Sequence, residues 1–150
     1  MTFDRRLNSA WWVLRIALGL GPFLAGLDKF FNILTNWEMY LSPLVPRILH
    51  VSPTVFMRTV GVVEMIVGLT ILTTRWTRLA AYVAMAWLLS IAANLLTTGM
   101  FFDIAVRDVE IAIAAYCLAR LTEVRQEAVV YTRDETSDEA VRPLRGSSAA

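Results

Sequence analysis

The hydropathy pattern of the chain alternates between long apolar stretches and short polar ones. The apolar stretches at about residues 11–31, 55–72 and 79–96 each predict a membrane-spanning helix, because roughly 20 apolar residues in a helix match the ~30 Å hydrocarbon core of a bilayer. A fourth helix is predicted over residues 103–121, although it is continuously apolar only from Ile111 onward. Its charged first turns must therefore lie at membrane depth inside a bundle of helices.

The connection between the first two predicted spans, residues 32–54, is too polar to cross a membrane. Pro43, Pro46 and Pro53 prevent it from forming one long helix. It still carries aromatic and aliphatic residues, which favours a short amphipathic segment on the membrane surface or over the end of the bundle. We therefore expect an all-α membrane protein, a four-transmembrane-helix bundle with an extracytoplasmic capping segment between helices 1 and 2.

Polarity and charge predict two regions and an orientation. We expect a four-helix membrane domain over residues 1–121 and a polar, largely disordered cytoplasmic tail over residues 122–150. The side that carries the termini is flanked by Arg5, Arg6, Arg75, Arg78, Arg120 and Arg125. On the other side, the charges at the short loop are Arg47 and Arg58. The positive-inside rule then places both termini in the cytoplasm and the chain in the cell inner (plasma) membrane.

Composition supports this assignment and narrows the chemistry. Of the 150 residues, 57% are hydrophobic and 18% are charged, and the mean hydropathy is +0.54, as expected of a polytopic membrane protein. The formal net charge of +1 gives no basic footprint for nucleic acid. A single cysteine, Cys117, excludes an intramolecular disulfide and a multi-thiolate metal site, and a single histidine, His50, excludes a bis-histidine haem within the chain. We expect no metal and no covalently bound cofactor.

Two predicted helices carry charged residues on the same face as glycines. At about 100° per residue, one face of the first helix, roughly 80° wide, holds Arg15, Gly19, Pro22, Gly26 and Lys29. One face of the second helix, roughly 60° wide, holds Gly61, Glu64 and Gly68. These faces must point into protein, because a charge facing lipid at depth is unfavourable. Glycine on such a face permits close approach of a neighbouring helix.

The polar residues of the other two predicted helices lie toward the outer membrane surface. Asn94 is near the outer end of the third helix. Asp103, Arg107 and Glu110 share one face of the fourth helix within roughly 60°, while Asp108 points about 100° away from Arg107. The candidate ligand-binding or polar-core residues are therefore Arg15, Lys29, Glu64, Asn94, Asp103, Arg107 and Glu110, with no catalytic residue among them. Arg15 differs in depth, because it lies near the cytoplasmic end of its helix.

Acids outnumber bases in the outer half of the predicted bundle. A low-dielectric interior disfavours the resulting net charge, so some carboxyls must be protonated, reach the interface or meet cations from a partner. One interpretation is that ion pairs, such as Glu64 with Lys29 or Arg107, only fix the register of the helices. The other is a pocket for a quinone, a lipid headgroup or a proton path. In that pocket Arg107, Lys29 and Asn94 donate hydrogen bonds to quinone carbonyls. Glu64 or Glu110 exchanges protons, and the glycine faces leave room for the ring.

These motifs carry a resemblance to a known family. The motifs are Arg15-x3-Gly19 with Gly26-x2-Lys29, then Gly61-x2-Glu64-x3-Gly68, and the charged opening of the fourth helix. Over about residues 10–121 the chain resembles the DoxX family of small four-helix membrane proteins. The resemblance implies the fold and an inner polar core formed by Arg15, Lys29 and Glu64. It also implies a redox setting, since the family name comes from the small subunit of a thiosulfate:quinone oxidoreductase. Other members tether redox-protective enzymes, such as a superoxide dismutase and a sulfurtransferase, and related proteins are assembly chaperones or cargo receptors.

The sequence thus predicts an accessory integral-membrane subunit of a quinone-linked redox complex, with an outer-half pocket for a quinone or a lipid headgroup. The alternative is a non-catalytic membrane scaffold or assembly factor that recruits or stabilises partner proteins. A proton-coupled transporter is a weaker third hypothesis, because four short helices enclose little space unless the protein oligomerises. We expect a subunit or scaffold rather than an independent enzyme. The candidate partners are membrane lipids, other subunits of a membrane complex and further copies of this chain, and not nucleic acid.

Overall fold

The computed structural model describes residues 5–146, with the side chains of residues 5–131 and 133. Within this range every regular element is a helix, which confirms the all-α prediction. In chain order the elements are α1 (Arg5–Asp28), a 3-10 helix (Trp37–Tyr40), α2 (Leu44–Leu49), α3 (Pro53–Thr73), α4 (Thr77–Thr97) and α5 (Phe102–Gly146). We call the end of the bundle that carries residues 29–52 the connection end.

Three of the long helices have the length and composition of membrane spans. They are α1, α3 and α4, with 24, 21 and 21 residues, or about 30–36 Å at a rise of ~1.5 Å per residue. These three helices coincide with the first three predicted spans. The fourth long helix, α5, does not have the composition of a membrane span, because charged residues interrupt its apolar part. Four of them, Asp103, Arg107, Asp108 and Glu110, lie in its first turns.

The last helix is longer than the apolar pattern indicates. It contains 45 residues and continues without a break from Phe102 through Leu121 to Gly146. Residue 121 is therefore not a helix end. The division of the chain into a membrane domain and a disordered tail stays a prediction, and the last four residues of that tail lie outside the described residues.

A direct backbone contact joins α1 to α3, which run antiparallel. Gly19 faces Gly68, and Gly26 faces Gly61 one heptad further along. A methyl group placed on Gly61 would lie 2.6 Å from the carbonyl oxygen of Gly26, and one placed on Gly68 would lie 2.5 Å from that of Gly19. Because glycine has no side chain, the two backbones meet directly, as small residues allow in membrane helices.

The second helix pair, α4 with α5, is joined through alanine. The buried alanines of α4 are Ala80, Ala81, Ala84 and Ala92, and those of α5 are Ala105, Ala112, Ala115 and Ala119. Small side chains on both helices again allow a close approach. The two pairs contact each other much less extensively than the helices contact within each pair. The fold therefore contains a seam between the pair α1–α3 and the pair α4–α5.

The connection between α1 and α3 is held against the end of α4 by one amide. The Asn94 side chain accepts a hydrogen bond from the Ser42 backbone N–H (3.1 Å) and donates one to the Tyr40 carbonyl (2.8 Å). The Tyr40 ring also packs edge-on against Phe101, with 4.9 Å between ring centroids. These contacts fix the connection over the end of the bundle at which the polar residues of the interior lie.

The glycine contact generates a stability prediction. We expect Gly61→Ala to lower the free energy of unfolding by about 1–3 kcal/mol, the usual effect of overpacking a well-packed interface. Gly21→Ala is the matched control, because a methyl group there meets no atom within 4 Å and alanine favours the helix by up to about 1 kcal/mol. Unfolding of both variants in detergent micelles, followed by circular dichroism, checks this. Equal stability of the two variants would contradict the backbone contact.

Candidate polar site within the bundle

Each of the four long helices brings one polar side chain to the interior near the connection end. Lys29 directly follows α1, Glu64 lies in the middle of α3, Trp87 lies in the middle of α4, and Asp108 lies in the second turn of α5. Glu64, Lys29 and Asp108 are 6%, 7% and 8% exposed, and the indole nitrogen of Trp87 is buried. We call these four residues the polar layer. It straddles the seam, because two members come from each helix pair.

Lys29 and Glu64 form a buried ion pair. The Lys29 ammonium lies 2.5 Å from a carboxylate oxygen of Glu64. The glycine contact places them there, since Gly61 packs beside the Lys29 side chain and Gly26 packs beside Glu64. Without the close approach of α1 and α3, the two side chains would be separated. The structure thus brings these two predicted site residues into direct contact.

A chain of polar contacts links this ion pair to the connection. Asp28 is buried and accepts hydrogen bonds from the backbone N–H groups of Ile33 and Leu34 and, at 2.7 Å, from the Trp37 indole. The Trp37 ring in turn lies over the Lys29 ammonium, with 3.8 Å from the nitrogen to the ring centroid. This cation–π contact stabilises the ammonium on the side away from Glu64. Asp28 therefore shapes the turn that covers the ion pair.

The other two members of the polar layer lack hydrogen-bond partners. Among the described residues, Asp108 has no hydrogen bond or ion pair, although it interacts electrostatically with Arg107, Glu64 and Lys29. The buried Trp87 N–H approaches the Glu64 carboxylate but does not reach hydrogen-bond geometry. A buried donor or acceptor that stays unpaired is unfavourable. Beside a completed ion pair, the layer thus presents one buried donor without an acceptor, the Trp87 N–H, and one carboxylate, Asp108, that makes no hydrogen bond to the described residues.

Two predicted site residues lie elsewhere and satisfy backbone groups. Arg15 is on the far side of the bundle, about 21 Å along α1 from Lys29 at ~1.5 Å per residue. Its guanidinium donates hydrogen bonds to the carbonyls of Ile71 (2.7 Å) and Thr74 (2.8 Å) at the C-terminal end of α3, where helix carbonyls otherwise lack donors. Asn94 holds the connection, as described above. Neither residue reaches the polar layer.

The remaining predicted residues, on α5, face outward. Asp103, Arg107 and Glu110 are exposed, whereas Asp108 is buried. The expected shared face of the first three does exist, but it is directed away from the bundle, and Asp108 takes the inner position. The signal that identifies the inner face is the run Ala105, Asp108, Ala112, Ala115 and Ala119, all buried and spaced by three or four residues. Small residues at this spacing mark a helix–helix contact.

The glycine faces do not leave room for a ring, so that expectation is wrong. Each of the four interface glycines is in contact with the opposing helix, and an added methyl group on any of them would overlap it. The space between α1 and α3 is occupied by backbone. A ligand of the polar layer would therefore have to lie along the seam, where Lys29 and Glu64 of one helix pair approach Trp87 and Asp108 of the other.

The polar layer has a defined chemical character. Its charged members are one ammonium and two carboxylates, so it favours a proton or a hydrogen-bond donor over an anion. Asp108 can accept a hydrogen bond from a hydroxyl, and Trp87 can donate one to a carbonyl oxygen. The arrangement therefore suits a small group that both donates and accepts hydrogen bonds.

Comparison with known proteins gives one match. A family model described as DoxX matches residues 10–98, which is 89 of 150 residues and more than half of the chain. The match includes three members of the polar layer, Lys29, Glu64 and Trp87, and ends before α5. No curated protein and no solved structure matches the chain significantly.

The ion pair generates a prediction for a double-mutant cycle. We expect Lys29→Met or Glu64→Leu alone to lower the free energy of unfolding by about 3–5 kcal/mol, because each leaves one buried charge uncompensated. The double variant should recover most of this loss. Arg78→Met is the control, since it removes an exposed ion pair with Glu123, which contributes about 1 kcal/mol or less. Unfolding in detergent measures all four variants, and additive losses in the double variant would refute the coupling.

Proposed function

This chain belongs to the DoxX family of membrane proteins, and from that premise we propose that it is an accessory subunit of a quinone-linked redox complex. In this proposal the polar layer binds the headgroup of a quinone at the seam between the helix pairs. Membership in the family and three helices with the character of membrane spans support a multi-pass membrane protein with a redox association. The ligand and the complex are proposed here from the chemistry of the polar layer.

The proposed topology has four spans, with α5 as the fourth. The turn of residues 98–101 returns the chain into the membrane directly after α4, and burial of Asp108 removes one of its charges from lipid. Residues 29–52 then cap the extracytoplasmic end of the bundle. Both termini lie in the cytoplasm of the cell that carries this protein in its inner membrane. The arginine asymmetry and the Asn94 contacts with the connection support this arrangement.

The observation that carries the proposal is the buried Trp87 N–H without an acceptor, in a polar layer that also contains the Asp108 carboxylate. The Trp87 N–H fits the carbonyl oxygen of an oxidised quinone, and the Asp108 carboxylate fits the hydroxyl of a reduced one. Asp108 and Glu64 are acids placed to hold the protons that such a ligand takes up or releases. A bound quinone would supply the electron-accepting chemistry, and the reductant would come from another subunit.

A phospholipid headgroup is a less favourable occupant of the same site. Its phosphate carries a negative charge, and two carboxylates, Glu64 and Asp108, already face this space with one ammonium, Lys29, while the Arg107 guanidinium that interacts with Asp108 is on an exposed residue. Another anion would be repelled and poorly solvated there. A neutral ring with carbonyl or hydroxyl oxygens avoids this penalty, and the apolar helix surfaces along the seam suit its ring and tail.

A scaffold or assembly factor is the second candidate, and one observation favours it. Arg107 and Glu110 are exposed on α5 although they lie in the turns that the proposed topology places at membrane depth. Charged side chains at that depth require protein partners. In this alternative the polar layer only fixes the packing of the four helices, and the outward charges recruit another protein.

Ligand retention separates the two candidates. We expect Asp108→Asn and Trp87→Phe to lower the quinone that co-purifies by roughly tenfold, the effect of losing about 1.4 kcal/mol of binding, while the protein still accumulates. Native mass spectrometry after gentle extraction from the source membrane measures bound quinone, copy number and partners together.

Matched controls come from groups outside the polar layer. Thr70→Val removes a hydroxyl that bonds only to a carbonyl of its own helix, and Trp76→Phe removes an exposed indole N–H. Both should retain the quinone. If no quinone is found in the unaltered protein, and the Asp108 and Trp87 variants lose abundance and partner proteins in parallel, the scaffold function replaces the proposal.

A further inference from the structure

The outer surface of α5 is divided into two stripes of different character. One is apolar and exposed, and consists of Phe102, Val106, Val109, Ile113 and Tyr116. The other, which we call the α5 stripe, consists of the exposed residues Asp103, Arg107, Glu110, Cys117 and Val124, with the half-buried Ala114 and Leu121 at its edge against the core. The first stripe has the composition of a surface that faces lipid. The second stripe carries charged and small residues instead, and a charged side chain in contact with lipid is unfavourable.

The charges of the α5 stripe form no salt bridge in the described part of the chain, although Arg107 interacts electrostatically with its neighbour Asp108. Among the described residues, no ion pair includes Asp103, Arg107 or Glu110. At ~1.5 Å per residue, Glu110 lies about 12 Å from the start of the helix, and its short side chain does not reach the membrane surface from there. Because an uncovered carboxylate at this depth is unfavourable, another protein surface must cover it.

The spacing of the α5 stripe indicates what kind of surface this is. From Asp103 to Val124 the intervals are four, three, four, three, four and three residues. This is the 3.5-residue period by which two helices stay in contact as a left-handed coiled coil. The small, exposed Cys117 lies near its middle, where it allows a close approach, and the half-buried Ala114 lies one turn before it. The period continues beyond the apolar part of α5, along a helix of 45 residues.

We propose that the α5 stripe is the interface of a symmetric, parallel dimer of this chain. A two-fold axis along the membrane normal places each residue of one copy at the height of the same residue in the other. Arg107 of each copy then lies about 4.5 Å in height from Glu110 of its partner, at ~1.5 Å per residue. Two reciprocal ion pairs form, and the charges are withdrawn from lipid. The stripe carries both signs of charge, so it is complementary to itself.

This interface differs from the polar layer in location and in role. Asp108, the inward residue of α5, takes no part in it, and the α5 stripe lies on the opposite side of the helix. The family match ends at residue 98, so the stripe belongs to the part of the chain beyond that match. Dimerisation and ligand binding are therefore separable by mutation.

Cys117 provides a direct test, because it is the one cysteine in the chain and is exposed. In a parallel two-fold dimer the two Cys117 side chains face each other across the axis. We expect copper–phenanthroline oxidation of native membranes to give a disulfide-linked species of about twice the 16.9 kDa chain mass on a non-reducing gel. Cys117→Ser should abolish it. Linkage of Cys117 to another protein, without a dimer of the chain, would overturn the proposal.

A cysteine scan distinguishes the interface from random collision. In the Cys117→Ser background, cysteine is placed in turn at Ile113, Ala114, Tyr116, Arg120, Leu121 and Val124. Positions 114, 121 and 124 should cross-link with yields roughly fivefold above those of 113, 116 and 120, because a disulfide forms only over a short Cα separation. A flat profile, or one that peaks at 113 and 116, would overturn the proposal even if some dimer is seen.

Charge reversal tests the ion pairs. Glu110→Lys places four cations together across the interface, and we expect the Cys117 cross-link yield to fall roughly tenfold, because juxtaposed like charges oppose association. The double variant Arg107→Glu/Glu110→Arg restores opposite charges and should recover the yield. Glu127→Lys, an exposed charge reversal outside the stripe, should leave the yield unchanged. An unaltered yield in Glu110→Lys would exclude Arg107 and Glu110 as the contact.

Discussion

The direct backbone contact between α1 and α3 is the constraint on which the rest of the structure depends. Gly19 and Gly26 meet Gly68 and Gly61 at two points one heptad apart, and this fixes both the distance and the register of the helices. In a membrane there is little hydrophobic gain when apolar helices associate, so close packing and polar contacts must supply the stability. The same register brings Lys29 to Glu64 at one end and Arg15 to the last carbonyls of α3 at the other.

The parts of the fold that could be predicted from sequence are those with a local signal. Gly26, Lys29, Gly61 and Glu64 share helix faces within two or three turns, so their common contact follows from helix geometry alone. The orientation of α5 does not follow in that way, because charges lie on both of its sides. Charge alone favours the face with three charged residues. The structure instead buries the face that carries Asp108 and four alanines, because packing against α4 requires small residues.

Polar residues that satisfy backbone groups are harder to recognise in a sequence than those that form a site. Arg15 and Asn94 were natural candidates for ligand binding, since each is a hydrogen-bonding side chain in an apolar helix. Their partners are carbonyl and N–H groups at a helix end and in the connection, and a hydropathy pattern does not show which backbone groups lack partners. Asp28 likewise serves the turn after α1. For this reason the polar layer contains fewer residues than the set of polar side chains that the sequence offers as candidates.

The two sides of α5 lead to one conclusion about the whole molecule. Its inner side places Asp108 opposite Lys29 and Glu64, and its outer side carries Arg107 and Glu110. A helix with charges on both sides is stable in hydrocarbon only when protein covers both sides. The fold itself covers the inner side. In the proposed four-span topology, coverage of the outer side would come from outside the chain, so the insertion of α5 would be coupled to association with another protein surface.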